Sequence, residues 1–137
     1  MADTIRRMDY FYTVVRNKPG AGVKIMEGLA EEGVNLVAFS GFPHKKGAQV
    51  VFVPEDSKAF RKAAKKLGLA TSKVRTGFLL HGDDRVGAMT RLLAKLADKK
   101  INVTAVDAVT AGKGRFGAIL WVKQKNVAKA AKALGVK

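Results

Sequence analysis

Apolar and polar positions along this chain follow a set order of periods, and the order occurs twice. Tyr10 to Val15 is rich in aromatic and β-branched residues, which predicts a strand, and Asn17-Lys18-Pro19-Gly20 stops it. Val23, Met26, Leu29 and Ala30 then recur at helical spacing, and Gly33 ends that helix. Leu36 to Phe42 predicts a second strand and His44 to Gly47 a polar turn. Gln49 to Val53 is nearly all apolar, as a central strand requires. Pro54 to Ser57 opens a second helix, with Phe60, Ala63, Ala64 and Leu67 on its inner face.

The same grammar returns in the second half. Phe78 to Leu80 reads as a strand and Gly82 to Arg85 as a turn, followed by a helical stripe of Met89, Leu92, Leu93 and Leu96. Val103 to Val109 and Phe116 to Val122 read as strands joined by Thr110 to Arg115, and Val127, Ala130, Ala131 and Leu134 line a last helix. Gly20 and Gly87, Asn35 and Asn102, Gly47 and Gly114, and Leu67 and Leu134 all stand 67 positions apart. Lys62-Ala63-Ala64-Lys65 returns as Lys129-Ala130-Ala131-Lys132. A period this long exceeds one solenoid turn and suits a small α+β unit, so two copies packed about a pseudo-two-fold axis are expected. Short links in a βαββα order fit an antiparallel sheet covered on one face by two helices, the ferredoxin-like arrangement.

The expected boundaries are 1–76 for the first repeat and 77–137 for the second. A βαββαβ unit needs a fourth strand, which Ser72 to Thr76 can supply in the first copy. The second copy ends at Lys137 with none left, but Thr4-Ile5-Arg6-Arg7-Met8 stands 67 residues before Thr71-Ser72-Lys73-Val74-Arg75. Residues 3–9 are therefore expected to close the second sheet, the alternative being a frayed terminus.

Composition narrows the class. A 47% hydrophobic content excludes a disordered chain, and no apolar run reaches the roughly 18 residues needed to span a bilayer. Cysteine is absent, which removes disulfides, thiolate metal sites and cysteine nucleophiles. Met1 to Asp9 lacks the apolar core of a secretory signal, so the expectation is a cytoplasmic protein without a membrane partner. Lys and Arg number 26 against 11 Asp and Glu, a net charge of +15 that should attract polyanions at low salt. Lys58, Arg61, Lys62 and Lys65 share one helix face, and Lys125, Lys129 and Lys132 repeat it. That face reads either as solvated surface or as a polyanion surface.

The turn between first strand and first helix carries the best site signal. Asn17-Lys18-Pro19-Gly20-Ala21-Gly22 puts small residues where helix-start N–H groups are unpaired, and those groups with the helix dipole suit a carboxylate. Pro19 is pre-set for the first helical position. Asn17 and Asn35 are expected to bring side-chain amides near one another. Donors for a carboxylate and acceptors for an ammonium together fit a free amino acid, while the plain reading is a tight turn. Lys113 to Val122 loosely matches the RNP1 strand of RNA-recognition modules. However, Phe116 and Trp121 are an odd number apart and face opposite sides of a regular strand, so core packing is the expected role. Asp83 and Asp84 point different ways from a turn, and His44 and His81 are not equivalent under the repeat. With no phosphate loop and no acid/base constellation, the chain is expected to be no enzyme and to use no metal or cofactor.

The strand followed by Asn17-Lys18-Pro19-Gly20, then a helix ending in Glu32-Gly33-Val34-Asn35-Leu36, resembles the ACT domain, and both copies fit it. That resemblance implies a ferredoxin-like fold, pairing of modules, and a regulatory role sensing an amino acid held between modules. By position it points to Asn17, Pro19, Gly20, Ala21 and Asn35, and in the second copy to Asp84, Gly87, Ala88 and Asn102. Val86 there replaces the proline and Asp84 the asparagine, and an anion would face Asp83 and Asp84, so the second turn is the poorer expected site. The implied protein is a non-catalytic regulator acting on a separate protein partner or through a homodimer. The alternatives are a basic nucleic-acid-binding module with an RNA-recognition-like sheet and a structural assembly protein.

Overall fold

A computed structural model describes residues 3–136. Among them, six strands and four α-helices alternate: β1 (Thr4–Val15), α1 (Ala21–Glu31), β2 (Leu36–His44), β3 (Gly47–Pro54), α2 (Ser57–Lys66), β4 (Arg75–Asp83), α3 (Thr90–Asp98), β5 (Ala105–Thr110), β6 (Arg115–Trp121) and α4 (Val127–Leu134). The class is α+β with antiparallel ladders in ferredoxin-like repeats. The chain forms two compact units, one spanning Asp9–Arg75 and the other joining residues 3–8 to 76–136.

In the Asp9–Arg75 unit, β3 lies between β2 and the later part of β1, with Phe11 opposite Phe52 and Phe39 opposite Phe52 across the two ladders. Alternation gives β3 two jobs. Val50 and Phe52 join the helix-side core, while Val51 and Val53 on the other face are also buried, which explains its unbroken apolar run. Phe60 of α2 stacks on Phe11 at 4.8 Å between ring centroids and tilts against Phe52 at 5.3 Å. Its full burial contributes about 2–3 kcal/mol of transfer free energy. Asp56 starts α2 by accepting from the N–H groups of Lys58 and Ala59 at 3.0 and 3.1 Å. Leu67 ends α2, and its side chain rests over Gly28 of α1 on the expected inner face while the residue stays 41% exposed at the edge of the core.

Ser72 to Thr76, expected as a strand, lies outside any ladder until β4 begins at Arg75. It is nevertheless tied along β1. Ser72 N–H donates to the Tyr12 carbonyl at 2.8 Å, and Tyr12 N–H donates to the Ser72 hydroxyl at 3.0 Å. Thr13 Oγ1 donates to the Ala70 carbonyl at 2.6 Å. Two hydroxyls take over bonds that backbone groups make in a regular ladder, so the segment follows the strand without strand geometry.

In the other unit the order is the early part of β1, then β4, β6 and β5. Phe78 and Leu80 of β4 and Phe116, Ala118 and Leu120 of β6 face Leu92 and Leu96 of α3 and Ala130, Ala131 and Leu134 of α4. Ile5 packs against this same core. β4 is longer than Phe78 to Leu80 and runs through Asp83, which is paired with Arg115 and is therefore a strand residue rather than a turn residue. No helix among the described residues is long and apolar enough to cross a membrane.

Candidate functional site

The β1–α1 turn is pinned from behind. Gly47, where the β2–β3 hairpin returns, has φ +143°, and a side chain there would run into the Val15 carbonyl and approach Asn17 N at 3.0 Å. Pro19 then leads into Gly20, which caps α1 with φ 87°, a left-handed conformation that suits glycine, and no side chain caps this helix. Ala21 N–H reaches the Lys18 carbonyl only at 3.3 Å. Among the described residues, the N–H groups of Gly20, Gly22 and Val23 donate to no protein acceptor. Asn17, Pro19 and Gly20 are exposed and Ala21 is half-buried, so the turn presents unbonded donors to solvent.

The equivalent turn in the second unit is built differently. Val86, in place of the proline, is fully exposed, and 86–89 form turns rather than α-helix, so α3 starts two residues later than α1 does relative to the repeat. Without a ring to fix φ, nothing pre-sets the first helical turn. Ala88 N–H donates to the Arg85 carbonyl at 3.2 Å and Thr90 N–H to the Gly87 carbonyl at 3.0 Å. The N–H groups of Val86, Gly87 and Met89 donate to no acceptor among the described residues. Beside them lies a hollow of about 310 Å³ bounded by Asp84, Gly87, Ala88 and Thr90 and, from β5, Val109 and Thr110.

Charge around this turn is largely self-compensated. Arg115 Nη1 donates to Asp83 Oδ1 at 2.6 Å. Arg85 donates to Asp3 at 3.1 Å and to the Asp83 carbonyl at 2.9 Å, and Asp83 N–H donates to Asp3 at 3.2 Å. The Arg85 hydrogen bond, with the Asp83 N–H, holds the Asp3 carboxyl below its usual 3.8, and Arg115 does the same for Asp83. An anion at the turn therefore meets one uncommitted carboxylate, Asp84, instead of the two expected. Among the described residues, no three His, Asp or Glu side chains gather as a metal site would need.

One expected neighbourhood does not form within a unit. Asn17 follows Val15, which pairs with Ala48 at one end of β3, whereas Asn35 precedes Leu36, which pairs with Pro54 at the other. Six residues of strand separate the two ends, ~20 Å at strand rise. The reason is topological: a helical crossover returns the chain, so β2 starts where β1 started rather than where it ended. Asn35 instead donates from Nδ2 to Glu55 at 2.9 Å, and Glu55 N–H donates to the Asn35 carbonyl at 2.9 Å. Asn102 stands likewise at the Trp121 end of β6, away from Asp84, Gly87 and Ala88 at the Arg115 end. Glu55 carries no periodicity or motif, so its partnership with Asn35 was not visible in sequence. The aromatics that favoured nucleic acid are also committed: Phe11, Phe78, Phe116 and Trp121 are all buried and offer no ring to a base.

The sequence matches no family model and no curated protein. Its fold is nonetheless shared with solved structures. A Bacteroides thetaiotaomicron protein superposes with a TM-score of 0.78 at 17% identity, over 97% of this chain and 88% of that one. The ligand-free regulatory subunit of aspartate kinase from Thermus thermophilus superposes with a TM-score of 0.65 at 15% identity, over 98% of this chain and 95% of that one. The corresponding subunit from Thermus flavus gives 0.62 at 13% identity, over 98% and 95%. These likenesses establish the fold, a pair of ferredoxin-like α+β repeats, which is the fold that the resemblance read from the sequence implies.

Proposed function

We propose that this chain is a non-catalytic regulatory module that binds a free amino acid at its strand–helix turns. The reading is supported by a fold shared with regulatory subunits of aspartate kinase. The observation that carries it is the pair of unbonded N–H groups at Gly87 and Met89, residues that line a hollow of about 310 Å³ together with Asp84. Such N–H groups suit the carboxylate of a zwitterion, and Asp84 suits its ammonium. Asn17, Pro19, Gly20 and Ala21 form the corresponding position in the Asp9–Arg75 unit, with ammonium recognition left to Asn17. Asn35 and Asn102 are ~20 Å from their own turns. They join a bound ligand when a second copy of the chain brings them up, which makes a homodimer part of the reading and ligand-dependent assembly its output. A protein partner regulated through that assembly follows from the same scheme.

The test is a thermal-shift screen of the twenty amino acids at physiological salt, with light scattering on any that respond. A binder at a hundredfold excess over its Kd stabilises by about 2.7 kcal/mol, an easily resolved shift. Asp84→Ala should weaken that binder about tenfold, as loss of one charge-assisted bond does. A flat screen, or a binder indifferent to Asp84→Ala and Asn17→Ala alike, overturns the reading.

A further inference from the structure

A second concavity of about 540 Å³ opens between α3, the end of α4 and residues 3–5, on the side of Arg85 and Ala88 away from β5. Its floor is apolar, formed by Leu80, Leu92, Phe116 and Leu134, and its rim carries Arg85, Arg91 and Lys95. Arg85 is engaged with Asp3. Arg91 and Lys95, one helical turn apart, have no ion-pair partner among the described residues and repel each other across that turn. Two unneutralised cations above an apolar floor are chemically matched to one kind of small molecule.

The repeat supplies an internal comparison. The counterpart of Lys95 is Gly28, and that of Leu134 is Leu67. In the Asp9–Arg75 unit, Leu67 Cδ2 lies 2.9 Å from where a Gly28 side chain would begin, so α1 and α2 close together there. In the second unit a lysine stands at that position, and Leu134 lines open space instead. The floor has changed too, since Leu80 corresponds to Thr13 and, by ladder register, the large Phe116 to the small Ala48. Two of the cations correspond to Lys18 and Lys24, so positive charge is common to both copies while the gap and the bulkier floor belong to one. A gap that only reflected loose packing of this fold would not come with a bulkier apolar lining than its closed twin.

We propose that this cleft binds an amphipathic monocarboxylate, with the apolar body on Leu80, Leu92, Phe116 and Leu134 and the carboxylate at Arg91 and Lys95. Its volume falls within the roughly 300–1,000 Å³ of small-molecule sites. The cleft shares Arg85, Ala88 and Phe116 with the amino-acid hollow, but Leu80, Leu92, Leu134, Arg91 and Lys95 line it alone, and the proposal does not rest on that reading.

Sodium octanoate, kept below micelle formation, is the probe, and octan-1-ol is its uncharged twin. Titration calorimetry of the full chain should give saturable octanoate binding about tenfold tighter than octanol. Amide resonances of Leu92, Lys95, Leu134 and Val136 should shift. The double variant Arg91→Gln, Lys95→Gln should lose about tenfold in octanoate affinity and keep its octanol affinity, while Lys24→Gln should change neither. Absence of saturable binding, or equal affinity for the two probes in the unmodified chain, overturns the proposal. So do shifts confined to Asp84, Val109 and Thr110 or to residues 9–75, and a double variant that binds octanoate undiminished.

Discussion

Arg115 and Asp83 face each other as a register pair at the open end of the β4–β6 ladder, and a 2.6 Å hydrogen bond joins their side chains. The strand pairing places the two charges opposite one another, and the charges in turn hold the last pair of the ladder closed. Asp83 N–H also anchors Asp3, whose carboxylate is held by Arg85. Four groups thus fasten the end of β4 beside the candidate turn.

A pH dependence follows with a definite sign. Both carboxyls titrate below their usual 3.8 in the folded chain, so their contribution to stability is complete above that value and is lost as pH falls through the lowered ones. Thermal melting between pH 5 and 2 should show a falling transition temperature, with a shallower fall in Asp3→Asn and Asp83→Asn. Asp3 is exposed and Asp83 only half-buried, so the effect is small and should shrink further at 1 M salt. Parallel acid profiles for the variants and the unmodified chain would contradict the assignment.

The back of the first turn can be probed through glycines. Gly20 and Gly47 both have positive φ, but a side chain on Gly20 meets open space, whereas one on Gly47 meets the Val15 carbonyl. Gly20→Ala should cost about 1–2 kcal/mol, the left-handed penalty alone. Gly47→Ala adds a backbone collision and should cost at least ~3 kcal/mol. Urea denaturation reads both, and equal costs would mean that the hairpin yields to the new side chain.

Much of this was legible in the sequence because periodicity reports burial. The stripes Phe60, Ala63, Ala64 and Leu92, Leu96 form cores where expected, and the apolar run Gln49 to Val53 is a strand buried on both faces. What failed was connectivity in space. Asn17 and Asn35 look adjacent when the elements between them are read as a short excursion, yet a helical crossover sends β2 back to the opposite end of the sheet. The bond of Asn35 to Glu55 and those of Arg85 and Arg115 to Asp3 and Asp83 join residues far apart in sequence with no shared motif. Charge was misjudged for the same reason. Asp83 and Asp84 read as a pair, whereas strand register assigns Asp83 to Arg115 and leaves Asp84 alone. The concavities of the second unit escaped notice because they arise from what the repeat lacks: Val86 has no proline ring, and Lys95 no room to let Leu134 in.

The N-terminal segment offers the last test. Met8 is 3% exposed, with its Cε 3.0 Å from where a Gly77 side chain would begin, and Ile5 packs against the core of Phe78, Leu96 and Leu120. Asp3 adds its bonds to Arg85 and Asp83 N–H. Burial of Met8 alone is worth about 1.5–3 kcal/mol, before Ile5 and the strand bonds are counted. Deleting residues 1–8 should therefore lower the melting temperature by roughly 10 °C or more. Hydrogen exchange should locate the damage, with protection lost in β4 and β6 and kept in the β2–β3 hairpin, which belongs to the Asp9–Arg75 unit. Unchanged melting, or protection lost first from β2 and β3, would mean that this segment does not serve as the missing fourth strand of the second repeat.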